Sequence, residues 1–309
     1  MNKKVRYIAL AAILIIAIEL IMRIHFGFCD TVLIKESKNY EYIAKPNQNR
    51  FRFGNHIKYN KFSMRNEEID TASIKILGFG DSVINGGTPT DHDSLATSFL
   101  SKTLTSFCNK KVQFLNISAG SWGPDNCFAY LKEHGDWNAK SIFLFVSSHD
   151  AYDNMNFEKI VDVNKSYPSK QYSLALYELV DRYILPRLTS KFEKSTTSTD
   201  NLGINKKTET SIFNTGFSAF HNYSKEQNIP LTIYLHAEKE ELKSKNYNKH
   251  GQKIIEFARV NNIPIILDLE NGLQLSDFRD GIHINNKGQK KLANIITKYL
   301  KQKSHLLAQ

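Results

Sequence analysis

Short apolar runs alternate with amphipathic segments along most of the chain after residue 70. Five runs rich in Val, Ile and Leu have the length of buried strands: SIKILGFG, KVQFLNISAG, SIFLFVSS, IPLTIYLH and IPIILDLE. The segments between them, such as SLATSFLSKTLTSF, repeat apolar residues every three or four positions, which indicates helices. This alternation predicts an α/β fold with a central five-stranded parallel sheet covered by helices on both faces. Loops that carry function then lie at the carboxyl ends of the strands.

The first thirty residues follow a different pattern. Residues 7–28 form an almost continuous apolar stretch, which as a helix is long enough to cross a bilayer. Glu19, Arg23 and His25 interrupt it, and the first two are four residues apart, where they can pair on one helix face. The basic residues of MNKKVR precede the stretch, so the positive-inside rule places the N-terminus in the cytoplasm and the remaining chain outside.

A cleavable signal peptide is the alternative for this segment, because the charge-free run 7–18 has the length of a signal peptide's apolar region. No A-x-A cleavage site follows that run, and the apolar character resumes after Glu19. We therefore expect an uncleaved, single-pass anchor in a bacterial cytoplasmic membrane, with the domain on the periplasmic or outer side.

The remaining chain divides into a flank and one domain. Residues 30–70 are polar and aromatic without clear periodicity, and we expect them to pack on the domain that spans 71–309. An insertion at about 156–209 interrupts the strand and helix pattern. It leaves from the carboxyl edge of the third predicted strand, so it is either a plain surface insertion or a lid that faces the substrate.

Composition narrows the classes of partner. The formal net charge is +10, but the lysines are scattered among asparagine and isoleucine, and no nucleic-acid-binding motif accompanies them, so no nucleic acid is expected.

Cys108 and Cys127 lie on opposite sides of the predicted strand VQFLNIS. That strand spans about 23 Å, whereas the Cα atoms of a disulfide lie within about 7 Å. We therefore expect Cys29, Cys108 and Cys127 to be free thiols.

The glycine-rich turn of KILGFGDSVINGG is the first candidate for chemistry. It has no Lys-Ser/Thr pair for a phosphate loop, and Val83 stands where a dinucleotide fingerprint needs its third glycine. It also lacks the second glycine of a G-x-S-x-G nucleophile elbow, because Asn85 follows instead. Ser82 at its tip remains a candidate nucleophile, which needs a base and an acid to orient that base.

Both partners are present in one short segment near the C-terminus. Asp280 and His283 stand three residues apart in SDFRDGIHINNKG, in a predicted loop before the last helix. In this arrangement His283 takes the proton of Ser82, and Asp280 fixes the imidazole tautomer and stabilises the imidazolium. No H-E-x-x-H or C-x-x-C pattern points to a metal site, and this chemistry requires neither a metal nor a cofactor.

The blocks GFGDS, NISAGSWG and DGIH, in this order, resemble those of the SGNH (GDSL-type) hydrolase superfamily over residues 74–301. The resemblance implies a flavodoxin-like three-layer α/β/α sandwich, with Ser82 as nucleophile and Asp280 and His283 as the other triad members. It also implies an oxyanion hole made by the backbone N–H groups of Ser82 and Gly120, although another alignment shifts the second donor to Ser121.

The third oxyanion donor is where this chain departs from that family. The family's G-x-N-D block falls in VSSHDAYD, so His149 stands where an asparagine is expected. A ring nitrogen of His149 can still donate a hydrogen bond, or the histidine is structural and the donor is missing. Asn154 is a weaker candidate for the same role. His236, at the end of IYLH, either lines the pocket or is an ordinary loop histidine.

The resemblance implies an acyl ester hydrolase, with acetyl the favoured group, that acts on an O-acylated surface polysaccharide or cell-wall glycan. The alternative with the same triad is an O-acetyltransferase of a surface glycan. An alternative of another class is an inactive, membrane-tethered protein that binds glycans or assists polysaccharide assembly.

Overall fold

A computed structural model describes residues 2–192, 212–303 and 307 of the chain. It begins with helix α1, Lys3–Phe26, and within the described ranges α1 is the one helix long and apolar enough to cross a membrane. Two antiparallel hairpins follow, formed by β1 (Ile34–Ser37) with β2 (Glu41–Ala44) and by β3 (Gln48–Arg52) with β4 (Asn55–Tyr59). The sequence pattern of the flank did not predict these hairpins, because their strands are only four or five residues long, too short for a clear periodic pattern.

A five-stranded sheet lies at the centre of the domain. Its strands are β5 (Ile74–Gly80), β6 (Val112–Ser118), β7 (Ser141–Ser147), β8 (Leu231–His236) and β9 (Ile265–Leu267). All neighbours are parallel and the order is β6-β5-β7-β8-β9, the flavodoxin-like order of a doubly wound sheet. Every residue of β5 to β8 is buried, which explains their continuous apolar runs. The predicted three-layer fold is thus confirmed.

Within the described residues, further helices surround the sheet and the hairpins. They are α2 (Ser82–Asn85), α3 (Ala96–Cys108), α4 (Pro124–His134), α5 (Ala175–Glu178), α6 (Leu185–Phe192), α7 (Thr215–Gln227), α8 (Lys239–Ser244), α9 (Lys249–Val260) and α10 (Asn286–Gln302). Side chains alternate between the two faces of β5: Ile76 belongs to the core beneath α3 and α10, whereas Leu77 belongs to the core beneath α4, α7 and α9. Two apolar layers therefore fix the sheet between the helices.

The flanking segment packs on the second of these layers. The rings of Tyr40, Trp122 and Tyr130 contact one another edge to face or tilted, and the indole N–H of Trp122 donates to the Tyr42 carbonyl at 2.9 Å. All three cysteines are free, as the sequence predicted.

The described part of the insertion packs against α1. A π-helical turn, Leu179–Ile184, joins α5 to α6, so that one continuous helix runs from Ala175 to Phe192. Ala175 forms a small buried cluster with Met22 and Phe28 at the end of α1. Residues 193–209 of the predicted insertion lie outside the described residues.

A buried ion pair joins this helix to the flank. Arg52 and Glu178 are both almost fully buried, their side chains approach to 2.5 Å, and the same carboxylate accepts the backbone N–H of Cys29 at 2.6 Å. Two segments that are distant in sequence are thereby held at the end of α1.

We predict that Glu178→Ala destabilises the protein by about 3–5 kcal/mol, because it leaves the Arg52 charge buried without its partner. Thermal unfolding of the detergent-solubilised full chain, followed by circular dichroism, measures the change. Glu240→Ala, which breaks an exposed pair with Lys243, is the matched control and should change the melting temperature little. Equal effects of the two variants would contradict the prediction.

Candidate functional site

Ser82 follows the carboxyl end of strand β5, as the first residue of the short helix α2. Asp81 caps this helix, and its carboxylate accepts the backbone N–H of Val83 at 2.8 Å. Gly80 allows the tight passage from strand to helix, because a Cβ there would stand 2.9 Å from the Phe145 carbonyl oxygen. This turn presents the Ser82 hydroxyl at the edge of the sheet where functional loops gather.

The loop before α10 brings an imidazole to that hydroxyl. His283 Nε2 lies 2.9 Å from Ser82 Oγ, and His283 Nδ1 lies 2.9 Å and 3.0 Å from the two carboxylate oxygens of Asp280. A single antiparallel bridge between Phe278 and Ile284 closes this loop. The three residues singled out in the sequence are thus within hydrogen-bonding distance, in the order serine, histidine, aspartate.

The hydrogen bonds around Asp280 favour the ionised form of its carboxyl group. Burial by itself raises its pKa, but the His283 ring and the backbone N–H groups of Ile282 and His283 donate to the carboxylate and hold the pKa well below its ordinary value. An ionised carboxylate on Nδ1 keeps the proton on that nitrogen, so Nε2 is the atom free to accept the proton of Ser82.

Two arginines that the sequence analysis missed fix the loop after Ser82. Arg65 is fully buried and donates to the carbonyl oxygens of Asn85, Gly87 and Thr90 at 2.5–2.6 Å. Arg279, beside Asp280, donates to the Gly86 carbonyl and the Thr90 hydroxyl. Arg65 belongs to the aromatic flank, where no motif distinguishes it from the other basic residues. The second arginine joins the loops of Ser82 and His283 directly.

The backbone N–H groups of Ser82 and Gly120 are available as oxyanion donors, because neither forms a hydrogen bond with another group of the described chain. The hydroxyl of Tyr42 donates to the Gly120 carbonyl at 2.7 Å and so orients this residue. A Cβ on Gly120 would stand 3.0 Å from the Tyr167 hydroxyl oxygen, so little room exists there for a side chain. Ser121, the alternative donor, has the left-handed backbone φ of +56°.

His149 lies in a 3₁₀ turn, Ser148–Ala151, directly after β7. Its Nδ1 is 3.2 Å from a Glu238 carboxylate oxygen, and its Nε2 is 3.6 Å from Asp150 Oδ1. Burial would lower its pKa, but the charge of Asp150, the hydrogen bond to Glu238 and the charge of Asp81 raise the pKa to about 10. These carboxylates favour the protonated form of the ring, which is partly exposed and adjacent to the turn that carries Ser82.

The same groups are the strongest candidate for cation binding among the described residues. Asp81, His149 and Asp150 each offer a ligand atom within 4.8 Å of the others. Metal ligation requires a neutral imidazole, whereas the carboxylates around His149 favour its protonated form. The Asp150 Oδ1 atom has no hydrogen-bond partner among the described residues, and His149 Nε2 lies 3.6 Å from it.

Two further polar residues from the sequence analysis have other roles. His236 is 1% exposed and ends β8, so it neither lines a pocket nor lies in a loop, which corrects both expectations. Its Nδ1 is 2.7 Å from Asp268 and its Nε2 is 2.8 Å from the Ile282 carbonyl, next to His283. The Asn154 amide donates to the Tyr152 and Ile212 carbonyls.

Comparisons with known proteins extend the picture of the fold only. No family model matches the sequence, and no curated protein matches it. Among solved structures, a lipase/acylhydrolase from Enterococcus faecalis resembles 74% of this chain over 96% of its own length, at 12% identity and a TM-score of 0.43. The structure of TesA resembles 74% of this chain over 98% of its own length, at 11% identity and a TM-score of 0.44. A two-domain esterase active on acetylated mannans resembles 74% of this chain over 50% of its own length, at 9% identity and a TM-score of 0.43.

The first of these structures is a lipase/acylhydrolase and the third is an esterase, but the similarity is too low to carry a functional argument. The function assigned below therefore rests on the residues of the site.

We predict that His236→Ala destabilises the protein by about 3 kcal/mol or more, because Asp268 is left buried without its cationic partner. Both ring nitrogens face acceptors, so both must carry a proton. Burial alone would lower the pKa of His236, but Asp268 and the Ile282 carbonyl raise it. The stabilisation is complete below about pH 6.5 and is lost as the pH rises through the raised, folded-state pKa.

Thermal unfolding at a series of pH values tests this. The difference in melting temperature between wild type and variant should be largest in acid and shrink in alkali. His56→Ala, at a side chain that is 70% exposed, serves as control and should have little effect. A difference that grows with pH would contradict the assignment of an imidazolium at His236.

Proposed function

We propose that this chain is a serine-dependent carboxylic ester hydrolase. The observation that carries the proposal is the geometry of Ser82, His283 and Asp280, in which one imidazole bridges the serine hydroxyl and a carboxylate at 2.9 Å on each side. Neither a lone Gly-Asp-Ser turn nor a structural histidine would require this alignment between residues 201 positions apart.

The reaction is acyl transfer through Ser82. The hydroxyl oxygen attacks the ester carbonyl carbon while His283 Nε2 takes its proton, and the carbonyl oxygen becomes an oxyanion that accepts hydrogen bonds from the N–H groups of Ser82 and Gly120. His283 then gives the proton to the departing alcohol oxygen as the C–O bond breaks. A water molecule, deprotonated by His283, attacks the acyl-enzyme and releases the acid and free Ser82.

His149 is proposed as the third oxyanion donor. It follows β7, Ser82 follows β5 and Gly120 follows β6, so the three lie at the carboxyl ends of adjacent strands. Glu238 holds Nδ1 of His149, and Nε2 lies 3.6 Å from Asp150 Oδ1, beyond hydrogen-bonding distance, so its N–H is not held by that carboxylate. A cationic donor stabilises an oxyanion more strongly than a neutral amide does.

The substrate and compartment are proposed from the sequence. The positive-inside rule places the domain outside the cytoplasmic membrane, and the family resemblance favours an O-acylated surface polysaccharide or cell-wall glycan. The surface-glycan O-acetyltransferase has the same first half-reaction and differs in the acceptor. Incubation with an acetylated glycan and an unacetylated acceptor distinguishes them: free acetate supports the hydrolase, and an acetylated acceptor supports the transferase.

We predict that Ser82→Ala lowers kcat/KM for p-nitrophenyl acetate by about 10⁴ or more, because the nucleophile is lost. His283→Ala should lower it similarly, because the two residues act as a unit. Stopped-flow or absorbance assays of the purified full chain measure the rates. Ser106→Ala, on the outer surface of α3, is the matched control and should retain activity. Equal hydrolysis by wild type and Ser82→Ala would refute the assignment and favour the inactive binding protein.

We predict that His149→Ala lowers kcat by about 10² to 10³, whereas His149→Asn keeps most of the activity because its amide can donate. The pH profile separates this role from a structural one. Wild-type activity should decline as the pH rises towards about 10, where the imidazolium loses its proton, and His149→Asn should lack this decline. The Ser82→Ala protein supplies the background rate at each pH. Unchanged kcat in His149→Ala would contradict the proposed donor.

A further inference from the structure

The helix from Ala175 to Phe192 has an exposed apolar face. Exposed apolar side chains recur every three or four positions along it, at Tyr177, Val180, Ile184 and Leu188, and Tyr177 is 57% and Leu188 49% exposed. Ala175 and Glu178, by contrast, are fully buried against the protein. Such an amphipathic helix requires an apolar neighbour for its outer face.

The beginning of this helix is attached to α1. The Glu19 carboxylate accepts the backbone N–H groups of Ala175 and Leu176 at 2.7 and 3.0 Å, which are donors that a helix N-terminus leaves unsatisfied. Arg23 pairs with Glu19 at 2.7 Å and donates to the Ser173 carbonyl. The two charged residues that interrupt the apolar stretch of α1 thus form a specific joint with the insertion.

The position of this joint along α1 fixes its depth. Glu19 follows Tyr7 by twelve residues, a rise of about 18 Å, whereas the hydrocarbon layer is about 30 Å thick. If α1 spans a bilayer from Tyr7, Glu19 lies in the outer half of that layer, where an unpartnered carboxylate is costly. Arg23 and the two helix amides supply the partners, so the insertion begins at membrane depth.

The remaining contacts make the attachment rigid. The Arg52 guanidinium donates to the Gly27 carbonyl at 2.9 Å and pairs with Glu178, and the backbone N–H of Phe53 donates to the Phe26 carbonyl at 3.0 Å. The end of α1 therefore continues into β3 and into the insertion without a flexible tether.

We propose that the helix from Ala175 to Phe192 lies in the outer membrane interface, with its exposed apolar face among the lipid acyl chains, and clamps the domain onto the bilayer. The proposal rests on the membrane anchor of the proposed function. A lipid surface is the occupant that the structure favours, because both α1 and this helix expose apolar side chains, and the cluster of Met22, Phe28 and Ala175 attaches the helix to the end of α1.

The clamp limits the distance between the candidate active site and the outer end of α1. The Tyr167 hydroxyl contacts the position of Gly120, and Arg23 holds Ser173, only six residues further along the chain. Six extended residues span at most about 20 Å, so Gly120 is held within roughly 30 Å of the outer end of α1 once side-chain lengths are added. The scissile ester therefore lies within about 30 Å of the outer end of α1.

Tryptophan placed on the helix tests the proposal directly. The full chain carrying Tyr177→Trp or Leu188→Trp is assembled in nanodiscs of phosphatidylcholine with or without brominated acyl chains, and wild-type emission is subtracted. Brominated lipid should quench the added emission of both variants at least twofold. Val260→Trp, at a 66% exposed position on α9, is the control and should not be quenched.

Leu14→Trp, in the middle of α1, tests the membrane anchor separately from the interfacial helix. Quenching at Leu14 without quenching at Tyr177 or Leu188 overturns the interfacial helix and leaves the anchor, which would indicate a protein partner for the apolar face. No quenching at Leu14 overturns the anchor and the clamp together. Hydrolysis of p-nitrophenyl acetate by the same nanodiscs reports on the ester hydrolase independently of either outcome.

Hydrogen exchange tests the joint itself. The double variant Glu19→Leu with Arg23→Leu keeps α1 apolar but removes the acceptor of the Ala175 and Leu176 amides, so their exchange in nanodiscs should accelerate at least tenfold. The matched control, Lys253→Leu with Glu256→Leu, removes an exposed pair on α9 and should leave this exchange unchanged. Unchanged exchange in the first variant would contradict the joint.

Discussion

The parallel register of β5 between β6 and β7 is the constraint on which the site depends. Parallel strands end at one edge of the sheet, so the residues that follow β5, β6 and β7 are brought together although they are far apart in sequence. Ser82, Gly120 and His149 are these residues. A single loop before α10 then completes the set, because His283 reaches the same edge. The chemistry therefore needs few local motifs, since the topology supplies the proximity.

The fold was predictable because its signal is periodic and local. Five apolar runs and the helices between them are visible in the sequence, and their burial on both faces accounts for the pattern. Ser82, Asp280 and His283 were also predictable, since each occurs in a short block of recognisable spacing. Their roles remain proposals, but the structure places them at hydrogen-bonding distance.

The supports of the site were not predictable for a different reason. Arg65 acts through three backbone carbonyls, and His236 acts through Asp268 and the Ile282 carbonyl. Every residue has a backbone carbonyl whatever its side chain, so no sequence pattern marks such contacts. The hairpins of the flank were missed for another reason, because strands of only four or five residues are too short for a periodic pattern to mark them.

The role of the two charged residues Glu19 and Arg23 within α1 depends on their contacts with a segment that is distant in sequence. Read locally, Glu19 and Arg23 weaken the case for a membrane span, because each is costly in lipid. In the folded chain they receive partners from the insertion some 150 residues later, and the pair becomes the joint of the proposed clamp. A simple tether would need no polar residues at that depth. In the proposed clamp, the pair therefore belongs to the folded domain as well as to the apolar helix.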